Sequence, residues 1–377
     1  DAGWYLGAGA EGTFDFDSGL GRWEPDPDRF PNGLGALSDY AHQLGMKFGI
    51  WVEPERVNLA VLGEHGLEEP WLATSGGQYG SDHAAQICLA SPAAERWVLD
   101  RLTQLIDQAH PDYLKWDNNM WVNCDRPGHG HGAGDGNFAH VTALYQLLAT
   151  LRAQYPSLLI ENVSGGGNRV DFGMLRYTDV AWMDDRTAPS VHVRHNLEGL
   201  SAAFPPAYLL SFLTNHVGEP VVDAPDLALY ARSRMAGVLG LCFRGTELGA
   251  DDVRRMAQQV ADYLRVRGTL IDSAGALLSP QADAATGPDW DILQFTSPDA
   301  SQALLYAFDD QEGSERITVY PTALIPEALY QVESLDAGAL GTAAGADLMS
   351  QGIALDHASS SAAHILRLAR SPSPTTP

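Results

Sequence analysis

The sequence predicts an α/β chain: a (β/α)8 TIM-type barrel followed by an antiparallel β-sandwich. Three observations predict it. Up to about residue 270, short apolar runs alternate with amphipathic helical stretches, the pattern of a parallel β/α fold. Four of those runs end abruptly in polar or glycine-rich residues, as barrel strands do on the face that carries the site. After about Thr269 the helical stretches stop and short strands separated by turns take over.

The strands expected in the first part are Lys47–Val52, Tyr113–Trp116, Leu158–Asn162, Asp179–Met183, Tyr208–Leu213 and Gly237–Phe243. Between them, Val98, Leu102, Leu105 and Ile106 fall on one helical face, and Leu144, Leu147, Leu148 and Leu151 on another. The polar endings are Glu53-Pro54-Glu55, Asp117-Asn118-Asn119, Ser164-Gly165-Gly166-Gly167 and Asp184-Asp185-Arg186. A doubly wound sheet would instead show one dominant phosphate loop near its first strand, and no such loop is visible. Ile292–Phe295, Ala303–Phe308, Arg316–Tyr320 and Ala363–Leu368 read as the strands of the second part. The expected division is a barrel over 1–272, a sandwich over 280–370 and a disordered tail over 371–377.

Composition narrows the function classes. The 377 residues suffice for one large domain and a smaller one. A formal net charge of -25 repels nucleic-acid phosphates and anionic lipid and suits a neutral substrate. Cys88, Cys124 and Cys242 are widely spaced with no Cys-x-x-Cys pair, so the sequence signals neither a zinc site nor a disulfide framework. No apolar run is long enough to span a membrane. The start carries no signal peptide, which says little about the compartment in a chain that starts without Met; a cytoplasmic location is slightly favoured. The chain begins at Asp1 with no Met, so it is expected to be a fragment.

Asp117 ends the run Tyr113-Leu114-Lys115-Trp116. Asp often caps a following helix, but a cap does not account for Lys115, two residues away on the same strand face. A neighbouring cation favours the charged carboxylate that a nucleophile requires. Asp184 and Asp185 also come directly after a strand. A neighbouring carboxylate favours the neutral form that suits a general acid, and Arg186 argues against a bound cation. Asp117 with one of this pair is a plausible two-carboxylate glycosidase site. Ser164-Gly165-Gly166-Gly167 lacks the Walker pattern and reads as bare backbone approaching a ligand. Trp4, Trp51, Trp116 and Trp182 are core residues by default; clustered at strand ends they would offer platforms for sugar C–H faces. His129-Gly130-His131, in the glycine-rich stretch from Asp125 to Asn137, reads as a mobile loop rather than a metal-ligand pair. The sequon at Asn162 lies at a buried strand end and is discounted.

These residues resemble glycoside hydrolase family 36, the α-galactosidase (melibiase) family. The resemblance runs from Asp1-Ala2-Gly3-Trp4 to about Ile271. It includes Arg29–Leu34, Leu44–Glu55, Lys115-Trp116-Asp117, Ser164–Gly167, Trp182–Asp185 and Phe204-Pro205-Pro206, in the family's order. It implies a retaining hydrolase of terminal α-D-galactosides, with Asp117 as nucleophile and Asp185 as acid/base. Asp1, Trp51, Glu53, Lys115, Asn119, Ser164, Gly165, Trp182 and Asp184 would hold the sugar. No metal and no organic cofactor is expected, because two carboxylates suffice. The implied partner is an α-linked oligosaccharide, with a homo-oligomer as a further expectation for a full-length protein. The chain departs from the family pattern at Ala2 (a second acid), Met120 (Arg) and Val163 (Cys). Another α-linked sugar, such as an α-N-acetylgalactosaminide, therefore stands beside galactose, and a catalytically inactive carbohydrate-binding fragment and a metal-dependent barrel hydrolase stand as the other readings. The family's N-terminal β-supersandwich and first barrel strand are expected to be missing from this chain.

Overall fold

The structure, a computed structural model, describes residues 1–9, 15–281, 290–309, 316–356 and 361–372. It divides into two compact units, 1–182 and 183–377. Most of the expected tail lies outside the described residues.

Unit 1 contains β1 (Gly49–Val52), β2 (Arg56–Asn58), β3 (Ala84–Gln86), β4 (Tyr113–Trp116), β5 (Leu159–Asn162) and β6 (Val180–Trp182). Parallel ladders join β1, β4, β5 and β6 in that order. The register sets Val52 against Trp116, Trp116 against Asn162, and Asn162 against Ala181. The strands therefore finish level, and the loops leaving them emerge at a common edge. One face of the sheet carries the buried apolar residues Ile50, Leu114 and Ile160, and the other aligns Trp51, Lys115 and Glu161. The helices α1 (Gly33–Gln43), α2 (Pro92–Ala109) and α3 (Gly136–Gln154) cover the apolar face. The predicted faces of α2 and α3 are buried in the core with Ile50, Leu114 and Ile160. Pro92 at the first turn of α2 has a fixed φ suited to a helix start, and His110 ends the helix in the left-handed region at φ 48.

The antiparallel pair β2–β3 carries no period-two signal, because all six residues are buried, including Arg56 and Gln86. At the other side of the sheet Asp179 precedes β6 and does not join it. Its carboxylate takes the Arg152 guanidinium at 2.7 Å and the Ile160 amide at 2.8 Å.

Unit 2 holds a parallel pair, β7 (Leu209–Thr214) with β8 (Val238–Cys242), and helices at Ser190–Ser201, Leu227–Arg232 and Ala250–Leu270. Its strands β9 (Ala274–Leu277), β10 (Trp290–Thr296), β11 (Gln302–Asp309), β13 (Leu329–Ser334), β14 (Gly338–Ala344) and β16 (Ala363–Arg370) form an antiparallel sheet ordered β14-β13-β16-β11-β10-β9; β12 (Arg316–Val319) pairs with β15 (Ile353–Asp356). Val319, Ile353 and Leu355 pack with Ile292, Leu305 and Leu366 into one core, so two antiparallel layers face each other as predicted. The four strands that sequence located are β10, β11, β12 and β16. Inside this unit Arg194, only 1% exposed, donates to Asp291 at 2.7 Å and to Ser233 at 2.7 Å.

Candidate active site

The level strand ends of unit 1 gather the residues that sequence singled out. Asp117 comes directly after β4, and its amide donates to the Val52 carbonyl at 2.8 Å. Its carboxylate takes four N–H donors. The backbone amides of Asn118 and Gly165 each donate to Oδ1 at 2.8 Å. The Asn119 side-chain amide donates to Oδ2 at 2.9 Å and the Trp51 indole at 3.3 Å. Donors to both oxygens leave the carboxylate little rotational freedom.

The donors are themselves held. Glu53 is fully buried and pairs its carboxylate with Arg56, at 2.8 Å on each oxygen. It also accepts the Asn119 backbone amide at 2.6 Å and the Asn119 side chain at 3.2 Å. Burial pushes the Glu53 carboxyl above the usual range and the Asp117 charge adds to that; Arg56 and the Asn119 amide oppose it. In this structure Glu53 orients Asn119. Trp51 is packed among Tyr5, Phe16 and Trp23, which aims its N–H at Asp117.

Gly165 is placed by a loop only glycines tolerate well. Ser164, Gly165, Gly166 and Gly167 run consecutively through the left-handed region, at φ 52, 59, 79 and 89. Ser164 is buried; it donates to Asn162 Oδ1 at 2.8 Å and accepts Arg169 Nε at 2.5 Å. Asn162 is fully buried and donates to the Arg169 carbonyl at 2.7 Å, in line with the discounted sequon.

Beneath this loop lies a buried polar network that sequence reasoning missed. Glu55 accepts from Trp116 Nε1 at 2.8 Å, from Arg169 at 2.9 and 3.0 Å, and faces His140 Nε2 at 2.7 Å. His140 Nδ1 takes the Leu89 amide at 3.2 Å, which leaves Nε2 as the donor toward Glu55. Burial alone would raise the Glu55 carboxyl, but Arg169 and His140 outweigh it and hold the group well below the usual carboxylate range. Glu55 was visible only as part of a polar strand ending. Arg169 and His140 sit far away in the chain and carry no local signal.

The other predicted residues of unit 1 have these surroundings. Lys115 pairs with Asp1 at 2.6 Å and stands 5.9 Å over the Trp182 ring. Trp4, Trp51, Trp116 and Trp182 are all buried, so in this structure they are core residues and orienting donors rather than open platforms. The aromatic ring exposed at this edge is Trp121, 46% accessible, close enough that a Cβ on Gly165 would lie 3.1 Å from it. Met120 packs in an apolar cluster with Ala73, Cys88, Val122 and Cys124, and Val163 is buried. The Asp125–Asn137 stretch is not a free flap. Asp125 accepts from Gly76 N at 2.5 Å and Thr74 Oγ1 at 3.0 Å, Arg126 pairs with Glu69 at 2.7 Å, and His129 is buried.

In unit 2 the adjacent acids differ. Met183 donates to the Leu210 carbonyl of β7 at 3.2 Å. Asp184 accepts the Arg186 amide at 2.8 Å, His192 Nε2 at 2.8 Å and Asn196 Nδ2 at 3.0 Å. Burial raises its carboxyl, but these three donors bring it below its ordinary value. Asp185 is exposed.

A family model described as Melibiase matches residues 1–272. Alpha-galactosidase 2 of Pediococcus pentosaceus is 32% identical over 282 residues, 72% of this chain and 37% of that one. Alpha-galactosidase C of Emericella nidulans is 30% identical over 359 residues, 89% of this chain and 44% of that one. The chain thus spans less than half the length of these curated relatives. Among solved structures, a GH36 α-galactosidase of Geobacillus stearothermophilus in complex with 1-deoxygalactonojirimycin matches with a TM-score of 0.81 at 24% identity, over 98% of this chain and 50% of that one. The (β/α)-barrel strands followed by antiparallel sheets are the fold it shares with that chain.

Proposed function

Because the chain belongs to the melibiase family, we propose that it carries the catalytic part of a retaining glycoside hydrolase that cleaves terminal non-reducing α-D-galactosides. Asp117 is the nucleophile and Asp185 the acid/base. The observation that carries the reading is the set of four N–H donors on Asp117 at the end of β4. Two backbone amides anchor Oδ1, and two side chains steady Oδ2, which attacks the anomeric carbon from one face of the sugar. The leaving oxygen takes a proton from Asp185. The covalent glycosyl-enzyme is then hydrolysed by a water that Asp185 deprotonates, returning the sugar with its α configuration.

Asp184 suits a hydroxyl-binding or positioning role, because three donors keep it an acceptor. Asp1 and Lys115, paired at 2.6 Å, offer an acceptor and a donor to ring hydroxyls. With Ala2 beside Asp1 in place of a second acid, discrimination at the axial hydroxyl rests on fewer partners. An α-N-acetylgalactosaminide is therefore the second substrate to test. We read 1–272 as the catalytic part and 280–370 as the β-sandwich, and the full-length protein as a homo-oligomer.

Asp117→Asn should lower turnover of aryl α-galactosides by about 10⁴-fold or more, since an amide cannot form the glycosyl-enzyme. Full activity in that variant would end the proposal. A panel of aryl α-glycosides assigns the sugar: turnover of the N-acetylgalactosaminide alone would replace the substrate and keep the mechanism.

A further inference from the structure

Cys88, Cys124, His129 and His131 share no metal-finger spacing, yet the fold of unit 1 collects them. Cys88 Sγ lies 3.4 Å from His131 Nε2, and Cys124 Sγ lies 3.4 Å from His129 Nδ1. All four potential ligand atoms are within 4.8 Å of one another. A tetrahedral zinc ion, with Zn–S about 2.3 Å and Zn–N about 2.0–2.1 Å, sets its ligand atoms roughly 3.4–3.8 Å apart. Cys88, Cys124 and His129 are buried and His131 is half-buried.

The tautomers point the same way. His129 Nε2 faces the Pro70 carbonyl oxygen at 2.6 Å, and His131 Nδ1 faces the Gly132 carbonyl oxygen at 2.9 Å. A carbonyl only accepts, so those nitrogens carry the protons. The lone pairs of the other two nitrogens are thereby turned toward the sulfurs. A backbone carbonyl that fixes the non-ligating nitrogen is the usual outer support of a metal-bound histidine. Ala73 and Val122 wall the cluster, with Ala90 and Met120 packed against it.

We propose that Cys88, Cys124, His129 and His131 bind one zinc ion. Four protein ligands leave no open position, so the ion is structural and takes no part in the reaction. On binding, both thiols release their protons to solvent and the ion is held by two thiolates and two neutral imidazoles. The ion fastens the stretch after β4 to the residues after β3. That stretch begins with Asn119, which donates to Asp117 at 2.9 Å. It is already pinned once by Val122, whose amide donates to Gln86 Oε1 at 2.5 Å. A soft-ligand set also excludes magnesium and calcium, which take oxygen donors.

The test is the metal content of the full chain purified without chelator, measured by plasma mass spectrometry, with thiol labelling alongside. The expected result is about one zinc per chain, with exposed Cys242 labelled and Cys88 and Cys124 protected. Cobalt exchanged for zinc should give the intense visible bands of a tetrahedral thiolate site. His131→Ala, chosen because this ligand is only half-buried, should bind zinc at least tenfold more weakly and lose the tetrahedral cobalt bands. Three results would overturn the proposal: less than about a tenth of an equivalent of zinc after dialysis against zinc with the thiols reduced; a Cys88–Cys124 disulfide in the purified chain; or unchanged zinc content in both His131→Ala and Cys88→Ser.

Discussion

Replacing Glu55 with glutamine strips the charge from a buried carboxylate while keeping its shape. In the structure that carboxylate takes two guanidinium contacts from Arg169, one indole N–H from Trp116 and one imidazole N–H from His140. Glutamine offers one acceptor oxygen and one NH2, so some of these donors lose their acceptor. Arg169, 8% exposed, is left as a buried cation without a counter-charge. Breaking a buried pair from one side costs about 3–5 kcal/mol. For a unit of this size that is a fall in Tm of roughly 6–20 °C. The loss should pass to the site, because Arg169 also donates to Ser164 Oγ and Ser164 leads into the Gly165 amide that holds Asp117. Urea and thermal unfolding followed by tryptophan emission at pH 7 read the stability. Arg169→Gln and the double variant complete a cycle, whose coupling should be about 1–3 kcal/mol. The sign with pH is fixed. Arg169 and His140 depress the folded carboxyl below its ordinary value, so its contribution is complete above about pH 5 and is lost only as acid titrates the folded state. Wild type and variant should therefore differ equally at pH 7 and pH 5. A Glu55→Gln protein within 1 kcal/mol of wild type, or additive single variants, would refute the network's role.

Gly165→Ala should lower stability by about 1–2 kcal/mol, because φ is 59 and an alanine there pays the left-handed cost. Its Cβ would sit 3.1 Å from Trp121 and 3.3 Å from the Asn118 carbonyl, so kcat should fall about tenfold to a hundredfold as the amide leaves Asp117; a wild-type kcat would contradict the loop's placement. Glu198 in unit 2 is raised to about 9 by burial, with Asp291 adding and Arg194 opposing. The folded state thus keeps a proton that the unfolded chain loses near pH 4.3, and stability drains as pH rises toward about 9. Glu198→Gln should therefore melt above wild type at pH 8 and level with it near pH 4; parallel melting profiles would refute the assignment.

Much of this was legible in the sequence where the signal is local. The runs around Ile50, Leu114, Ile160 and Ala181 became the four parallel strands of unit 1, and the Leu102 and Leu147 faces became buried helix faces. Asp117 was legible because a carboxylate interrupts an apolar strand. The strands β9, β13, β14 and β15 were missed. Ala274–Leu277 and Gly338–Ala344 are built largely of Gly and Ala, and few of these residues have the β-branched or aromatic shape that marks a strand. Leu329–Ser334 and Ile353–Asp356 do alternate between buried and exposed, but each is short. The Glu55–Arg169–His140 network was invisible, and the Cys–His cluster showed only its His129–His131 pair, for another reason: the remaining spacing is set by the fold and not by the chain. Sequence also cannot tell a tryptophan that packs from one that presents its face, and here the exposed ring is Trp121.

The central claim, that Asp117 forms the covalent bond to the sugar, is tested most directly by trapping. The full chain is incubated with a fluorinated α-galactosyl fluoride that forms the glycosyl-enzyme faster than it is hydrolysed, then digested and mapped by mass spectrometry. The account predicts one fluorogalactosyl adduct, formed with loss of the anomeric fluoride, on the peptide containing Lys115-Trp116-Asp117 and localised to Asp117. An adduct on Glu53, Asp184 or Asp185, or steady turnover of an α-galactoside with no adduct on Asp117, would contradict it.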